Sequence, residues 1–269
     1  MVNLHTLLKQ DARRQTALGV VLLSLALLFL AGLFFNYSTL LLGILYGLLF
    51  LISGSVLLFT GFRDYNRAGR TKRDFTKDEE KMNLEQVPAT MYIGHYYKKE
   101  TREKLYAMNG SVYSELKKRG SFPAVFYFTY SVTGGIWIPE EYTMYQKDGK
   151  PVYHLEKKGG LTWRGYVKNV NDEYLAYTTI KKNKATGKSV YRYIENEECK
   201  WFAEGDPYIA HYTVKDQKGF TWAVVKQGAV TKEAAAQFGD LPGSVIEWKV
   251  QEMVPSSLMA FIFLMQTHR

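Results

Sequence analysis

Cysteine is all but missing. A single residue, Cys199, stands in a chain of 269, which excludes a disulfide-stapled secreted domain. Charge is missing from one long stretch: residues 15–62, between Arg14 and Arg63, carry none. No ordinary soluble domain contains such a run. The mean hydropathy of the whole chain is nevertheless −0.22, so the remainder is distinctly polar. Together these exclude a plain cytosolic protein and a polytopic transporter, and describe a membrane anchor joined to a soluble domain. Motifs of chemistry are missing too. There is no GxxxxGK[ST], no GxGxxG after a strand, no HExxH and no GxSxG. Gly134-Gly135 and Gly159-Gly160 read as turns, and Cys199 lies beside Glu197-Glu198, a poor setting for a thiolate. His5, His95, His154, His211 and His268 have no partner at ligand spacing. Glu140-Glu141 and Glu197-Glu198 are adjacent on strands and face opposite sides. No metal, cofactor or catalytic residue is expected, and an enzyme lacks a motif.

The uncharged run divides at Asn36-Tyr37-Ser38 into 17–35 and 39–62. A bilayer core of roughly 30 Å needs about 20 helical residues, so each half can span. The polar turn predicts an antiparallel hairpin. A cleaved signal peptide is the rival for the first half, but its apolar part is too long and no small-x-small site follows. Lys9, Arg13 and Arg14 precede the first span, and Arg63, Arg67, Arg70, Lys72 and Arg73 follow the second. By the positive-inside rule this predicts a multi-pass protein of the cell membrane with both termini cytoplasmic. Gly43, Gly47 and Gly54 in the second span let backbones approach. Packing within the hairpin and homo-oligomer formation through it are both open readings. Neither span holds an ionisable residue, which speaks against an ion or proton path.

Residues 63–88 read as a linker, basic at first and then mixed in charge. Its cations Arg63, Arg67, Arg70, Lys72 and Arg73 would attract anionic lipid at about 1 kcal/mol each, or serve simply as the positive flank. Thr76-Lys77-Asp78-Glu79 fits a capping box for a short helix ended by Pro88. The expected organisation is a cytoplasmic segment 1–16, a transmembrane hairpin 17–62, the linker 63–88 and a β domain 89–269.

In that domain Tyr, Phe, Thr and Val alternate in short runs: 90–97, 124–133, 141–146, 152–156, 174–180, 190–194, 208–214, 220–226 and 245–250. Turn signals separate them, at Asn109-Gly110, Asp148-Gly149, Asn171-Asp172, Thr186-Gly187 and Lys218-Gly219. Two segments break the pattern. Residues 231–238 read as a short helix with Thr231 as N-cap. Residues 255–266 read as a helix apolar on every face, about 18 Å long and too short to span. Such a helix must be surrounded. The fold predicted is an N-terminal two-helix transmembrane hairpin plus an antiparallel barrel of about 10–12 strands around a hydrophobic C-terminal helix.

Basic residues cluster at Lys98-Lys99, Lys117-Lys118-Arg119, Lys157-Lys158 and at Lys181, Lys182, Lys184 and Lys188. A solvated rim is the plain reading and a surface for anionic headgroups the sharper one. Nucleic acid is disfavoured, because the many Tyr are needed to pack the barrel rather than to stack bases.

The hairpin Met144-Tyr145-Gln146-Lys147-Asp148-Gly149-Lys150-Pro151-Val152-Tyr153-His154-Leu155, the next at Asn171-Asp172-Glu173-Tyr174-Leu175-Ala176, and the closing segment Val254-Pro255-Ser256-Ser257-Leu258-Met259-Ala260-Phe261-Ile262-Phe263 resemble the tubby-like superfamily. That superfamily holds tubby C-terminal domains, LURP-one-related proteins and phospholipid scramblases. The resemblance covers about residues 89–269 and rests on pattern and order. It implies a barrel threaded by its C-terminal helix. It also implies binding of anionic phospholipid headgroups or of a protein partner at the inner membrane face, with scramblase-like translocation by an oligomer as an alternative. The N-terminal hairpin departs from scramblases, which place one span after or within the domain.

Overall fold

The computed structural model describes residues 4–32, 40–70, 83–94, 104–119, 139–159, 163–183, 187–206, 211–228, 238 and 243–267. Two helices open the chain, α1 (Leu4–Gly32) and α2 (Leu40–Arg70). Both are long and apolar enough to cross a membrane. At 1.5 Å per residue α1 is about 44 Å long, well over the roughly 30 Å of a bilayer core. The surplus turns are 4–16 of α1 and 63–70 of α2, which the sequence reading kept apart from the spans. Charge alone does not end a helix. Leu4, Leu8, Asp11 and Gln15 recur at helical spacing on one face, so α1 continues past the apolar run.

Close backbone approach holds the hairpin together. A Cβ added to Gly19 would lie 2.7 Å from the Leu58 nitrogen, and one on Gly54 would lie 2.9 Å from the Gly19 carbonyl oxygen. Gly61 meets Thr16, Gly54 meets Leu23 and Gly47 meets Leu30, an order that runs oppositely along the two helices and makes them antiparallel. Gly43 is buried as well. The small residues of α2 thus face α1. Leu27, Leu28, Leu41 and Phe59 point away, at 67%, 68%, 77% and 69% exposure. A helix inside a soluble core would bury them.

Among the described residues fourteen strands follow: β1 (Asn83–Gln86), β2 (Thr90–Gly94), β3 (Lys104–Ala107), β4 (Val112–Lys118), β5 (Glu140–Gln146), β6 (Pro151–Lys157), β7 (Arg164–Lys168), β8 (Tyr174–Lys182), β9 (Ser189–Glu195), β10 (Glu198–Asp206), β11 (His211–Asp216), β12 (Thr221–Gln227), β13 (Gly243–Trp248) and β14 (Glu252–Pro255). From β2 to β13 each strand pairs antiparallel with its neighbour in sequence, and β13 closes back onto β2 with Val245 opposite Tyr92. The result is a twelve-stranded closed barrel, with β1 and β14 as a separate ribbon. Closure removes every free edge from the main sheet. The strand expected over 124–133 lies outside the described residues. So does the helix expected over 231–238, except Phe238, which stacks on Tyr92 at 4.4 Å. Strands β1, β3, β4, β7, β10 and β14 were not among the expected runs, and β1 stands where a short helix was expected to run up to Pro88.

The barrel's lumen holds α3 (Ser256–Gln266), whose residues Ser256 to Met265 are all buried. Inward side chains from around the wall, among them Ile93, Met144, Val167, Tyr193, Val214 and Val225, form one core with it. The alternation that produces this is visible on β8, where Ala176 and Thr178 are buried between partly exposed neighbours.

The two ends of the barrel differ. At one end the connections are tight turns, with positive φ at Gly110, Gly149, Asp172, Asn196, Glu197 and Gly219. That is the backbone that short hairpin turns need and glycine, asparagine and aspartate tolerate. The other end carries the connections β2–β3, β4–β5, β6–β7, β8–β9, β10–β11 and β12–β13. Helix α3 enters at the turn end, where Tyr153 bonds Ser256 at 3.1 Å and Trp201 donates to Ser257 at 3.3 Å. It reaches the other end at Leu264, which fills the space a Cβ on Gly165 would take.

Candidate membrane-facing joint and headgroup site

The surplus turns of α1 and α2 lie against the outer wall of β5–β8. Side chains that point inward on these strands meet α3, and those that point outward meet the hairpin. For this reason all five residues of β7, Arg164–Lys168, are buried. The outward row Glu141, Glu156, Tyr166 and Tyr177 is set by strand register. Leu8 of α1, Ala68 of α2 and Tyr166 of β7 pack together, with Leu4, Tyr174 and Tyr177 against them.

Charge dominates this contact. On α1 the Asp11 carboxylate accepts from Arg164 and from the Tyr166 hydroxyl, both at 2.7 Å. On α2 the Asp64 carboxylate accepts from Lys158 at 2.7 Å. Lys158 also donates to Glu156, which accepts from Lys168 at 2.7 Å and from the Tyr174 hydroxyl at 3.1 Å. Three carboxylates (Asp11, Asp64, Glu156) therefore face three cations (Lys158, Arg164, Lys168), and each of the six is less than a tenth exposed. Burial by itself would raise the Glu156 carboxyl, but Lys158 and Lys168 override it and hold it well below the usual carboxylate range. Burial would lower Lys158, and Glu156 and Asp64 instead hold its ammonium above the ordinary lysine value. Burial, then the nearby Asp11 carboxylate, pushes the Tyr166 hydroxyl well up. In number, the three acids and the three bases match. Two groups beside this set lack a protein hydrogen-bond partner, the Gln15 amide and the Nε–H of Arg164.

The cations expected to meet lipid are split by the structure. Arg63 donates to Glu141 at 2.7 Å, and Arg67 approaches the same carboxylate at 3.9 Å. Arg70 ends α2, while Lys72 and Arg73 lie outside the described residues. Lys181 and Lys182 are exposed at the end of β8, and Lys188 is exposed just before β9. Lys184 lies outside the described residues. Strands β6 and β7 separate the β8 lysines from the wall under Arg63, so the two groups are distinct. Glu140 and Glu141 do face opposite sides. Glu140 points into the lumen, where it meets Lys118 at 2.8 Å and Lys157 at 3.5 Å, and Glu141 points out to α2. His154 is half-buried and 3.0 Å from the Thr143 hydroxyl, and His211 is exposed. Among the described residues no group of three His, Cys, Asp or Glu could hold a metal ion.

Sequence reasoning missed Asp11, Asp64, Glu156, Arg164 and Lys168, and read Lys157-Lys158 as a solvated rim or headgroup surface, whereas both are buried, Lys157 in the lumen and Lys158 under the hairpin. One signal was present: a single acid within each otherwise basic flank, on a helical face that continues an apolar stripe.

No family model and no curated protein matches the chain. Among solved structures, the X-ray structure of a protein from Arabidopsis thaliana is similar over 69% of this chain and 93% of that one, at 14% identity and a TM-score of 0.42.

Proposed function

We propose that the chain is a membrane-anchored, cytosolic binding domain of tubby-like type that contacts anionic phospholipid headgroups through the β8–β9 end of its barrel, at Lys181, Lys182 and Lys188. One observation carries this reading: the placement of that end relative to the spans. Asp11 pairs with Arg164, and Arg164 sits opposite Thr179 on β8. Going from Asp11 toward the bilayer, α1 enters its apolar run at Ala17, about 9 Å on. Going the same way from Thr179, β8 reaches Lys182 about 10 Å on. Leu8, which precedes Asp11 on α1, packs with Tyr166, which lies on the turn side of Arg164 on β7, and this sets the direction. Both helix ends lie on the barrel's side, and the basic flanks favour the cytoplasm for that side. Arg63 and Arg67 already have Glu141, which favours the exposed Lys181 and Lys182 over the α2 flank as headgroup ligands. A closed barrel around a C-terminal helix is what the tubby-like resemblance implies, and supports that family reading.

The test uses the full chain reconstituted with spin-labelled lipids. The fraction of immobilised phosphatidylserine should exceed that of phosphatidylcholine, and the preference should fall as salt rises, since exposed charges are screened beyond about 8 Å at physiological ionic strength. Replacing Lys181, Lys182 and Lys188 with Gln should remove it. Equal immobilisation of both lipids, insensitive to salt, would leave a protein partner as the better reading.

A further inference from the structure

We infer that the six-charge joint fixes the barrel in one pose on the hairpin, so that the outer wall of β6–β8 is a docking surface for a helix pair presenting one carboxylate per helix. Complementarity supports this. The wall carries Lys158, Arg164 and Lys168 with Glu156 and, on β5, Glu141; the hairpin sets Asp11 on Arg164, Asp64 on Lys158 and Arg63 on Glu141, so each helix brings an acid to a cation of the wall. The two acids sit at one level, since Gly61 on α2 meets Ala12 and Thr16 on α1. Their partners also sit at one level, since Lys158 donates its backbone N–H to the Arg164 carbonyl at 2.9 Å. Two ion pairs side by side on separate helices resist rotation of the barrel about either helix, which one pair would allow. The apolar contact of Leu8 and Ala68 with Tyr166 adds a third fixed point. Carboxylates buried this far stay on their partners, because separation would leave unpaired charge under the helices.

The pose rests on these contacts and not on lipid binding, so its test uses discs of neutral phosphatidylcholine holding one copy of the full chain. Cys199 is replaced by Ser. A donor dye is placed on Lys188→Cys, at the end facing the bilayer, or on Lys150→Cys, at the turn end and 81% exposed. An acceptor on the lipid headgroups reads the distance. Energy transfer should be several-fold stronger from 188 than from 150. Asp11→Asn with Asp64→Asn should collapse that contrast, and so should Asp11→Arg alone. Adding Arg164→Asp to Asp11→Arg should restore it, which a general loss of folding would not allow. Equal transfer from the two sites in the native protein, or a contrast that survives Asp11→Arg, would overturn the inference. Headgroup preference could fail in the lipid assay with this contrast intact, and the reverse.

Discussion

Glu156→Gln isolates the energy of the joint. The native carboxylate accepts from Lys158, Lys168 and Tyr174 inside a contact where its side chain and those of both lysines are at most 6% exposed. The amide keeps the shape and one acceptor oxygen, but turns an NH₂ toward an ammonium. Lys168 then has no carboxylate and lies only over the Tyr174 ring at 4.6 Å. Breaking a buried pair in this way costs about 3–5 kcal/mol. The control is Glu195→Gln. Glu195 meets Lys200 at 2.8 Å, nearly the same distance, but the two side chains are 28% and 34% exposed. Such a pair contributes about 0–1 kcal/mol. Hydrogen exchange of the full chain in discs should show β6–β8 opening more than a hundredfold faster in Glu156→Gln and little changed in Glu195→Gln. The depressed Glu156 carboxyl contributes stability that is complete above its unfolded value of about 4.3 and fades only as pH falls below it toward the folded value. The raised Lys158 contributes below about 10.4 and fades as pH rises beyond it. The difference between variant and native protein should therefore be flat from pH 6 to pH 8 and shrink in acid. Equal effects of the two substitutions, or a cost that changes near neutrality, would refute the reasoning.

Phe261→Asp places a carboxylate in the lumen, where Phe261 is fully buried. It should cost several kcal/mol and abolish cooperative unfolding of the barrel by near-UV circular dichroism. Gly19→Leu drives a side chain into the α2 backbone, with a first clash at 2.7 Å. It should separate the helices at a cost of about 1–3 kcal/mol, read as lost cross-linking by a bifunctional thiol reagent between cysteines placed at Phe29 and Phe50, whose rings lie 5.6 Å apart. Tyr37→Cys should react with an impermeant thiol reagent added outside cells while Cys199 does not. The reverse pattern would overturn the cytoplasmic assignment of the barrel.

Much of the barrel was legible because its signals are local. Alternating Tyr and Val with Asp-Gly or Asn-Gly between them encode hairpins that need no distant partner, and β5–β6 is such a unit. Helix α3 was legible because a helix apolar all round has few places to go. The joint was not legible, for a physical reason. Arg-Gly-Tyr-Val-Lys, the whole of β7, has charges at both ends and reads as surface. It is buried because α3 covers one face and the hairpin the other, and no local pattern announces a second cover. Asp11 finds Arg164 across a sequence separation of 153 residues, and neither residue's neighbourhood points to the other. The α1 stripe through Leu4, Leu8, Asp11 and Gln15 was readable, but the charges after it hid the continuity of the helix.

The joint also bears on what the first helix is. A cleaved leader contributes nothing to the mature fold, so the mature protein must be complete without it. Here α1 supplies Asp11, on which the Arg164 guanidinium and the Tyr166 hydroxyl converge, and Leu8, which covers Tyr166. Loss of α1 would leave a buried arginine without its carboxylate, a cost of about 3–5 kcal/mol, and would open the α2 glycines that pack against α1. Asp64 on α2 cannot substitute, because Lys158 already holds it. Each helix therefore carries one acid that the barrel needs, at the same height and on the same side. We propose on this ground that α1 is retained: the intact mass of the membrane-extracted protein should include residues 4–32, and a mature chain that begins after α1 would overturn this reading.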